Sequence, residues 1–229
     1  MTGTSAAELS VGPVGILGGT FNPPHLGHLA LARQAHSELG LERVLLMPAH
    51  AAAHKPHAED PGAAHRLRMC RLLVGDARGL SVCTLETDRG GPSFTVDTLR
   101  SIHASHPDAE LTFIVGADTA STLGTWHEPT ELLELADLAV AGRAGSTRQD
   151  VIDAVAALRP VAALPAGEPG GGPRGGQVRF LEMPVIEISS SLVRSRAAHG
   201  APIADLVGGA VAGYIAEHGL YRSPAEAEA

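Results

Sequence analysis

Short apolar runs alternate with stretches of helical period along nearly the whole chain. Val14–Leu17, Arg43–Pro48, Leu80–Leu85, Leu111–Val115, Leu138–Ala141 and Val178–Met183 are compact and rich in Val, Leu and Ile, the pattern of buried strands. Between them, Leu26–Leu39 has helical spacing and is closed by Gly40, Ala63–Val74 is amphipathic, and Thr95–His103 follows a capping candidate in Ser93 or Thr95 itself. Glu131–Leu135 and Gln149–Leu158 predict two more helices, and others open at Ser189 and near Ile203. The continuous apolar run Leu111–Val115 predicts a strand covered on both faces. Such alternation predicts an α/β fold of the Rossmann-like, doubly wound kind: a mostly parallel open sheet with helices on both faces. Ligands of such sheets collect beyond the carboxyl ends of the strands, where the strand order reverses.

Other segments lack a period. Residues 1–10 are small and polar and predict a disordered leader, residues 160–177 are rich in Gly, Pro and Ala and predict a flexible insertion, and 223–229 read as a tail. Ala49–Gly62, with His50, His54, Lys55, Pro56 and His57, is a loop over a site or an ordinary surface loop. At 229 residues and 44% apolar content, residues 11–222 suffice for one compact domain. No apolar stretch reaches membrane-spanning length and no secretory pattern opens the chain, so a soluble cytoplasmic protein is expected, with no membrane partner. Cys70 and Cys83 have no metal or redox spacing and read as reduced core thiols. A net charge of -8 argues against a nucleic-acid partner, so any phosphate recognition must be local.

A segment suited to local recognition comes directly after the first strand. Gly18-Gly19-Thr20-Phe21-Asn22-Pro23-Pro24-His25-Leu26-Gly27-His28 joins strand to helix. Glycines let backbone N–H groups approach an anion closely, and prolines suit the entry to a helix. His25 and His28, three apart, become neighbours at the positive end of that helix. A glycine turn alone would serve packing, but packing does not call for two histidines, so the segment reads as a phosphate site. It is neither a Walker A loop nor a dinucleotide-binding glycine pattern, and imidazoles therefore share the phosphate. Two close histidines also suit zinc, but the third ligand and the HExxH pattern are missing, and no metal ligands are assigned.

Near the other end, Ile188-Ser189-Ser190-Ser191-Leu192-Val193-Arg194 sets hydroxyls at a helix start one turn before an arginine fork. Alone it reads rather as an ordinary serine cap with solvated arginines, since caps of this type are common. Together, the two segments resemble the paired signature of the HxGH nucleotidylyltransferase superfamily, and within it the chain is most similar to bacterial nicotinate-nucleotide adenylyltransferase. Gly91-Pro92-Ser93-Phe94-Thr95-Val96-Asp97-Thr98-Leu99, Gly116-Ala117-Asp118, Trp126 and the Tyr214 to Tyr221 ending carry the narrower resemblance, which runs from Val14 to Tyr221. It implies adenylyl transfer from ATP, accompanied by Mg²⁺, to nicotinate mononucleotide, giving deamido-NAD and pyrophosphate. The nucleophile would be a phosphate monoester with a second pKa of about 6, so no general base is required. What remains is to align two anions and stabilise charge moving toward pyrophosphate.

On this resemblance His25, His28 and Arg194 are the catalytic candidates. Gly18, Gly19, Thr20, Phe21, Ser189, Ser190, Ser191 and Lys55 would hold ATP and its phosphates, and Thr95, Gly116, Asp118, Trp126 and His127 the mononucleotide. Trp126 would stack on the pyridine ring, or else simply pack; backbone N–H groups near Thr95 and His127 would meet the carboxylate. Asp118 would accept from ribose or cap a helix, and Lys55 would reach a phosphate or stand in solvent. Arg143 occupies a place where the family often has Arg and receives no role. Mg²⁺ would be held mostly by phosphates and water. Two positions depart from the family: Ser191 replaces the usual Thr, and Asn22 stands where many members have Asp. The expected partners are ATP and nicotinate mononucleotide, with a homo-oligomer left open. Competing functions are an enzyme that accepts both pyridine mononucleotides and a nucleotide sensor without turnover. Intact His25, His28, Ser189 and Arg194 speak against the sensor. A phosphopantetheine enzyme would carry Thr in place of His25 and be shorter.

Overall fold

The computed structural model describes residues 12–52, 59–142, 147–158, 175–184 and 186–222. The expected leader and tail, Lys55, Arg143 and most of the expected insertion lie outside the described residues. Strands β1 (Val14–Gly19), β2 (Arg43–Pro48), β3 (Ala51–Ala52), β4 (Leu80–Val82), β5 (Pro92–Ser93), β6 (Leu111–Gly116), β7 (Asp137–Ala141) and β8 (Val178–Leu181) are interspersed with ten α-helices among the described residues. These are α1 (Leu26–Glu38), α2 (Ala63–Val74), α3 (Leu85–Arg89), α4 (Thr95–Ser105), α5 (Ala117–Ala120), α6 (Pro129–Leu135), α7 (Arg148–Leu158), α8 (Ser190–Ala198), α9 (Ala204–Val207) and α10 (Gly209–Glu217). One six-stranded sheet runs β4-β2-β1-β6-β7-β8, with every neighbouring pair parallel. From β1 the chain builds outward to β4, then returns to the other side of β1 with β6, so the order reverses at the β1–β6 seam.

Successive residues of each strand enter opposite apolar layers. Leu17, Val44, Leu46, Ile114 and Ala139 pack with residues of α1, α2, α9 and α10, whereas Ile16, Leu45, Met47, Phe113 and Val140 pack with residues of α4, α6 and α7. Both faces of the central strands are covered, which is why β2, β6 and β7 are largely apolar rather than alternating, whereas the edge strand β8 exposes Arg179. The doubly wound architecture is therefore the one its sequence pattern predicts.

Shorter features differ from expectation. β4 stops at Val82 because Leu85 opens α3, a five-residue helix hidden by the end of an apolar run. α6 already opens at Pro129, and β8 ends at Leu181. Neither Ser93 nor Thr95 caps α4: Phe94 occupies the N-cap without a side-chain bond, and Ser93 Oγ instead accepts from His50 N–H at 3.0 Å. That bond joins the parallel β3–β5 pair, whose two-residue strands are too short to carry a period. Gly116, not Asp118, is the N-cap of α5. The end of the expected insertion is tied to the sheet, with Leu138 N–H donating to Gln177 O at 2.8 Å and Gln177 N–H to Asp137 Oδ1 at 3.0 Å.

Candidate active site

Gly18 and Gly19 complete β1 before the chain turns. A Cβ on Gly18 would stand 3.1 Å from the Phe113 ring, and one on Gly19 would stand 3.3 Å from the Phe21 ring. Both glycines thus yield their side-chain space to an aromatic ring. Phe21 itself has φ 52°, a left-handed conformation that costs an ordinary residue roughly 1–2 kcal/mol. Burying its ring contributes about 1.5–3 kcal/mol, so the turn is held without glycine at that position.

His25 is the extended N-cap of α1 and is buried. Its N–H donates to His28 Nδ1 at 3.1 Å, and the two rings stack with centroids 3.6 Å apart. Because Nδ1 of His28 accepts this bond, the proton of the neutral ring sits on Nε2, the nitrogen that can donate to an anion. The intervening glycine has a steric reason: a Cβ on Gly27 would approach His25 Nδ1 to 3.0 Å. The Phe21 ring meets His28 edge-on at 4.8 Å. The two histidines and the glycine between them therefore form one packed unit.

The second signature segment joins the first in space. Ser189 caps α8, accepting from Leu192 N–H at 3.2 Å, while Ser190 Oγ donates to Pro23 O at 2.8 Å. Arg194 donates through Nη1 to Asn22 O at 2.8 Å, through Nη2 to Ser191 Oγ at 3.4 Å and through Nε to the Glu59 carboxylate at 2.7 Å. Glu59 is 67% exposed, against 13% for Arg194. Asn22 Oδ1 accepts from the Tyr221 hydroxyl at 2.6 Å, and burial pushes that phenol's pKa up, keeping it a donor. Asn22 Nδ2 is buried with no protein acceptor among the described residues, so the amide offers an N–H that aspartate would lack.

Phe113 links one of the remaining candidates to the turn. Its ring lies over Gly18 and meets half-buried Trp126 edge-on at 5.8 Å, connecting the glycine turn to the tryptophan. The exposed His127 lies against Phe94 at 4.7 Å, which brings its segment to the start of α4 at Thr95. Gly116 ends β6 and Asp118 follows in α5, while Ala117 between them lines a cavity of about 160 Å³ with Gly142, Arg148, Phe180, Glu182 and Met183. Beneath the α4 start, Thr98 Oγ1 donates to buried Glu86 at 2.7 Å. Desolvation raises the Glu86 pKa, opposed by hydrogen bonds from Thr98 and Ser93 and by the Arg89 charge. Among the described residues no group of three His, Cys, Asp or Glu side chains could hold a metal ion.

The motifs gave no sign of Arg66. Its side chain is fully buried, and it donates to Thr20 O at 2.8 Å, Ala49 O at 2.7 Å, His50 O at 2.7 Å and Asp60 Oδ1 at 2.9 Å. A signal was present: Arg66, Met69, Cys70 and Leu73 share the buried stripe of α2, and a charge on such a stripe must be paired.

The cytidylyltransferase-like family model matches residues 16–196. A probable nicotinate-nucleotide adenylyltransferase of Symbiobacterium thermophilum is 41% identical over 91% of this chain and 94% of its own length. Another, from Geobacter sp. strain M21, is 40% identical over 91% of this chain and 97% of its own. The chain belongs to the bacterial nicotinate-nucleotide adenylyltransferases. That family's fold is also the one seen in the nicotinic acid mononucleotide adenylyltransferase of Plasmodium falciparum complexed with APC, at TM-score 0.71 and 16% identity over 92% of this chain and 97% of that one. A structure of the same Plasmodium protein complexed with NaAD gives TM-score 0.71 and 16% identity over 91% and 97%. No described helix of this adenylyltransferase is long and apolar enough to cross a membrane.

Proposed function

We propose that the chain transfers the adenylyl group of ATP to nicotinate mononucleotide, releasing pyrophosphate and deamido-NAD. The observation that carries this reading is the union of the two signature segments through Ser190 on Pro23 and Arg194 on Asn22. It sets the N-termini of α1 and α8, both positive dipole ends, beside one glycine turn. The mononucleotide's phosphate oxygen bonds to the α-phosphorus of ATP, and the bond to the bridging oxygen breaks, so that pyrophosphate leaves with the electron pair. The nucleophile is already ionised, so catalysis is alignment and charge stabilisation. In this reading His28 Nε2–H and His25 donate to phosphoryl oxygens together with the turn amides of residues 18–21. Ser189, Ser190, Ser191, Arg194 and Lys55 hold the outer phosphates, and Mg²⁺ arrives on ATP. Glu59, exposed on Arg194, is the carboxylate that a phosphate displaces.

Trp126 takes the pyridine ring, Asp118 and Gly116 the ribose, and N–H groups near Thr95 and His127 the nicotinate carboxylate. The names of the relatives, and the NaAD complex of the Plasmodium protein, support this assignment. An anionic carboxylate gains charge-assisted bonds there that a neutral carboxamide does not. The test is pyrophosphate release from MgATP with the nicotinate and the nicotinamide mononucleotide in turn. The acid is expected to exceed the amide in kcat/KM by about a hundredfold or more, within the range of hydrogen-bonding sites. Comparable values would make the enzyme dual-specific, and ATP binding without pyrophosphate release would make it a sensor.

A further inference from the structure

Beyond the residues that would touch substrate, one side chain holds several of them in place. Arg66 makes four hydrogen bonds from within the protein, and their acceptors come from three separate parts of the chain. Thr20 O belongs to the glycine turn after β1, Ala49 O and His50 O to the chain just beyond β2, and Asp60 to the segment leading into α2. The β1–β2 ladder reaches Gly19 opposite Pro48 and gains one more bond, from Ala49 N–H to Gly19 O at 2.9 Å. Where that pairing ends, Nη1 of Arg66 bonds the continuations of both strands at once, at Thr20 O and Ala49 O. The guanidinium thus continues the seam into the turn.

We infer that Arg66 is a positioning residue for the phosphate turn, fixing where the residue 18–21 amides and the following histidines stand relative to the bound triphosphate. This rests on the adenylyl-transfer reading above. Nη1 alone bridges the seam, but only a planar fork also reaches His50 O through Nη2 and Asp60 through Nε; a lysine ammonium is a single point on a flexible stem. The same cation fixes His50, whose N–H bonds Ser93 Oγ, so the turn is also referred to the β5–α4 segment proposed to face the mononucleotide. Asp60 holds the fork by accepting from Nε while its Oδ1 also accepts from Gly62 N–H at 2.9 Å. Arg66 touches no reacting group, and its effect passes through backbone carbonyls.

Arg66→Lys and Arg66→Met test this, with kcat and both KM values expressed per folded molecule and the folded fraction read by circular dichroism. Arg66→Met is expected to lose about tenfold to a hundredfold in kcat, the scale of a displaced site, with smaller changes in either KM and Arg66→Lys falling between it and wild type. A lower Tm with kcat of the folded molecules within about threefold of wild type would make Arg66 structural only and overturn the inference. Should both variants fail to fold, Asp60→Ala decides: it keeps the cation and removes its anchor, and an unchanged kcat would overturn the inference as well. Wild-type pyrophosphate release separately decides the adenylyl-transfer reading. If that reading fails, calorimetric ATP affinity still tests Arg66: weaker binding by the folded variants supports the role, and equal binding overturns it.

Discussion

At His28 the two ring nitrogens have separate tasks. Nδ1 accepts the His25 amide at 3.1 Å and so closes the start of α1, while Nε2 carries the proton that the proposed adenylyl transfer would use. Asparagine reproduces the near acceptor and cannot extend to the far donor. His28→Asn is therefore expected to keep Tm within about 2 °C of wild type and lose about a hundredfold in kcat, the effect of removing one positioned donor. His28→Ala should lose the cap as well, worth about 1 kcal/mol. Turnover of His28→Asn equal to wild type would remove His28 from the reaction. The pairing of the two histidines at the helix start could be read from their spacing, but the reason for Gly27 could not, since it depends on where the His25 ring lies. Arg66 escaped because one arginine in an amphipathic helix looks like part of its solvated face until the stripe it shares with Met69 and Leu73 is drawn.

At the scale of elements, α3, β5 and α4 are joined through Glu86, whose carboxylate receives the Thr98 and Ser93 hydroxyls. Long strands could be read from composition; β3, β5, α3 and α5 could not, because two to five residues carry neither a full period nor a distinctive cap. Burial raises the Glu86 pKa. A carboxyl whose folded pKa lies above its unfolded value binds more protons when folded, so its contribution to stability declines as pH rises from the ordinary carboxylate range through the raised value. Glu86→Gln abolishes that titration. The Tm of the glutamine variant minus that of wild type is therefore expected to become more positive between acid and neutral pH. A difference that stays constant across this interval would mean that Glu86 ionises as easily folded as unfolded, and the burial argument would fail.

Across the whole molecule, the sheet has an apolar layer on each face, and each layer contains one cysteine. Cys70 on α2 belongs to the layer with α1 and α10, and Cys83 after β4 to the layer with α4 and α6. Alternation of strands and helices was enough to foresee two covered faces. It does not say whether the two layers open together, and the expectation of one domain over residues 11–222 turns on that point. Both thiols are buried, and desolvation raises both pKa values, so the reactive thiolate is suppressed until the chain opens. Neither cysteine is expected to react appreciably with a thiol reagent such as DTNB while native, and labelling then measures opening. If the shared sheet makes the layers one cooperative unit, Cys70 and Cys83 should label at the same rate. ATP at about a hundred times its Kd should then slow both by about a hundredfold, because ligand bound only to the closed state adds about 2.7 kcal/mol to the opening free energy. Peptide-resolved mass spectrometry of the labelled cysteines distinguishes the outcomes. Fast labelling at one cysteine, untouched by ATP, would show that its layer opens alone and that the residues around the sheet do not behave as a single folding unit.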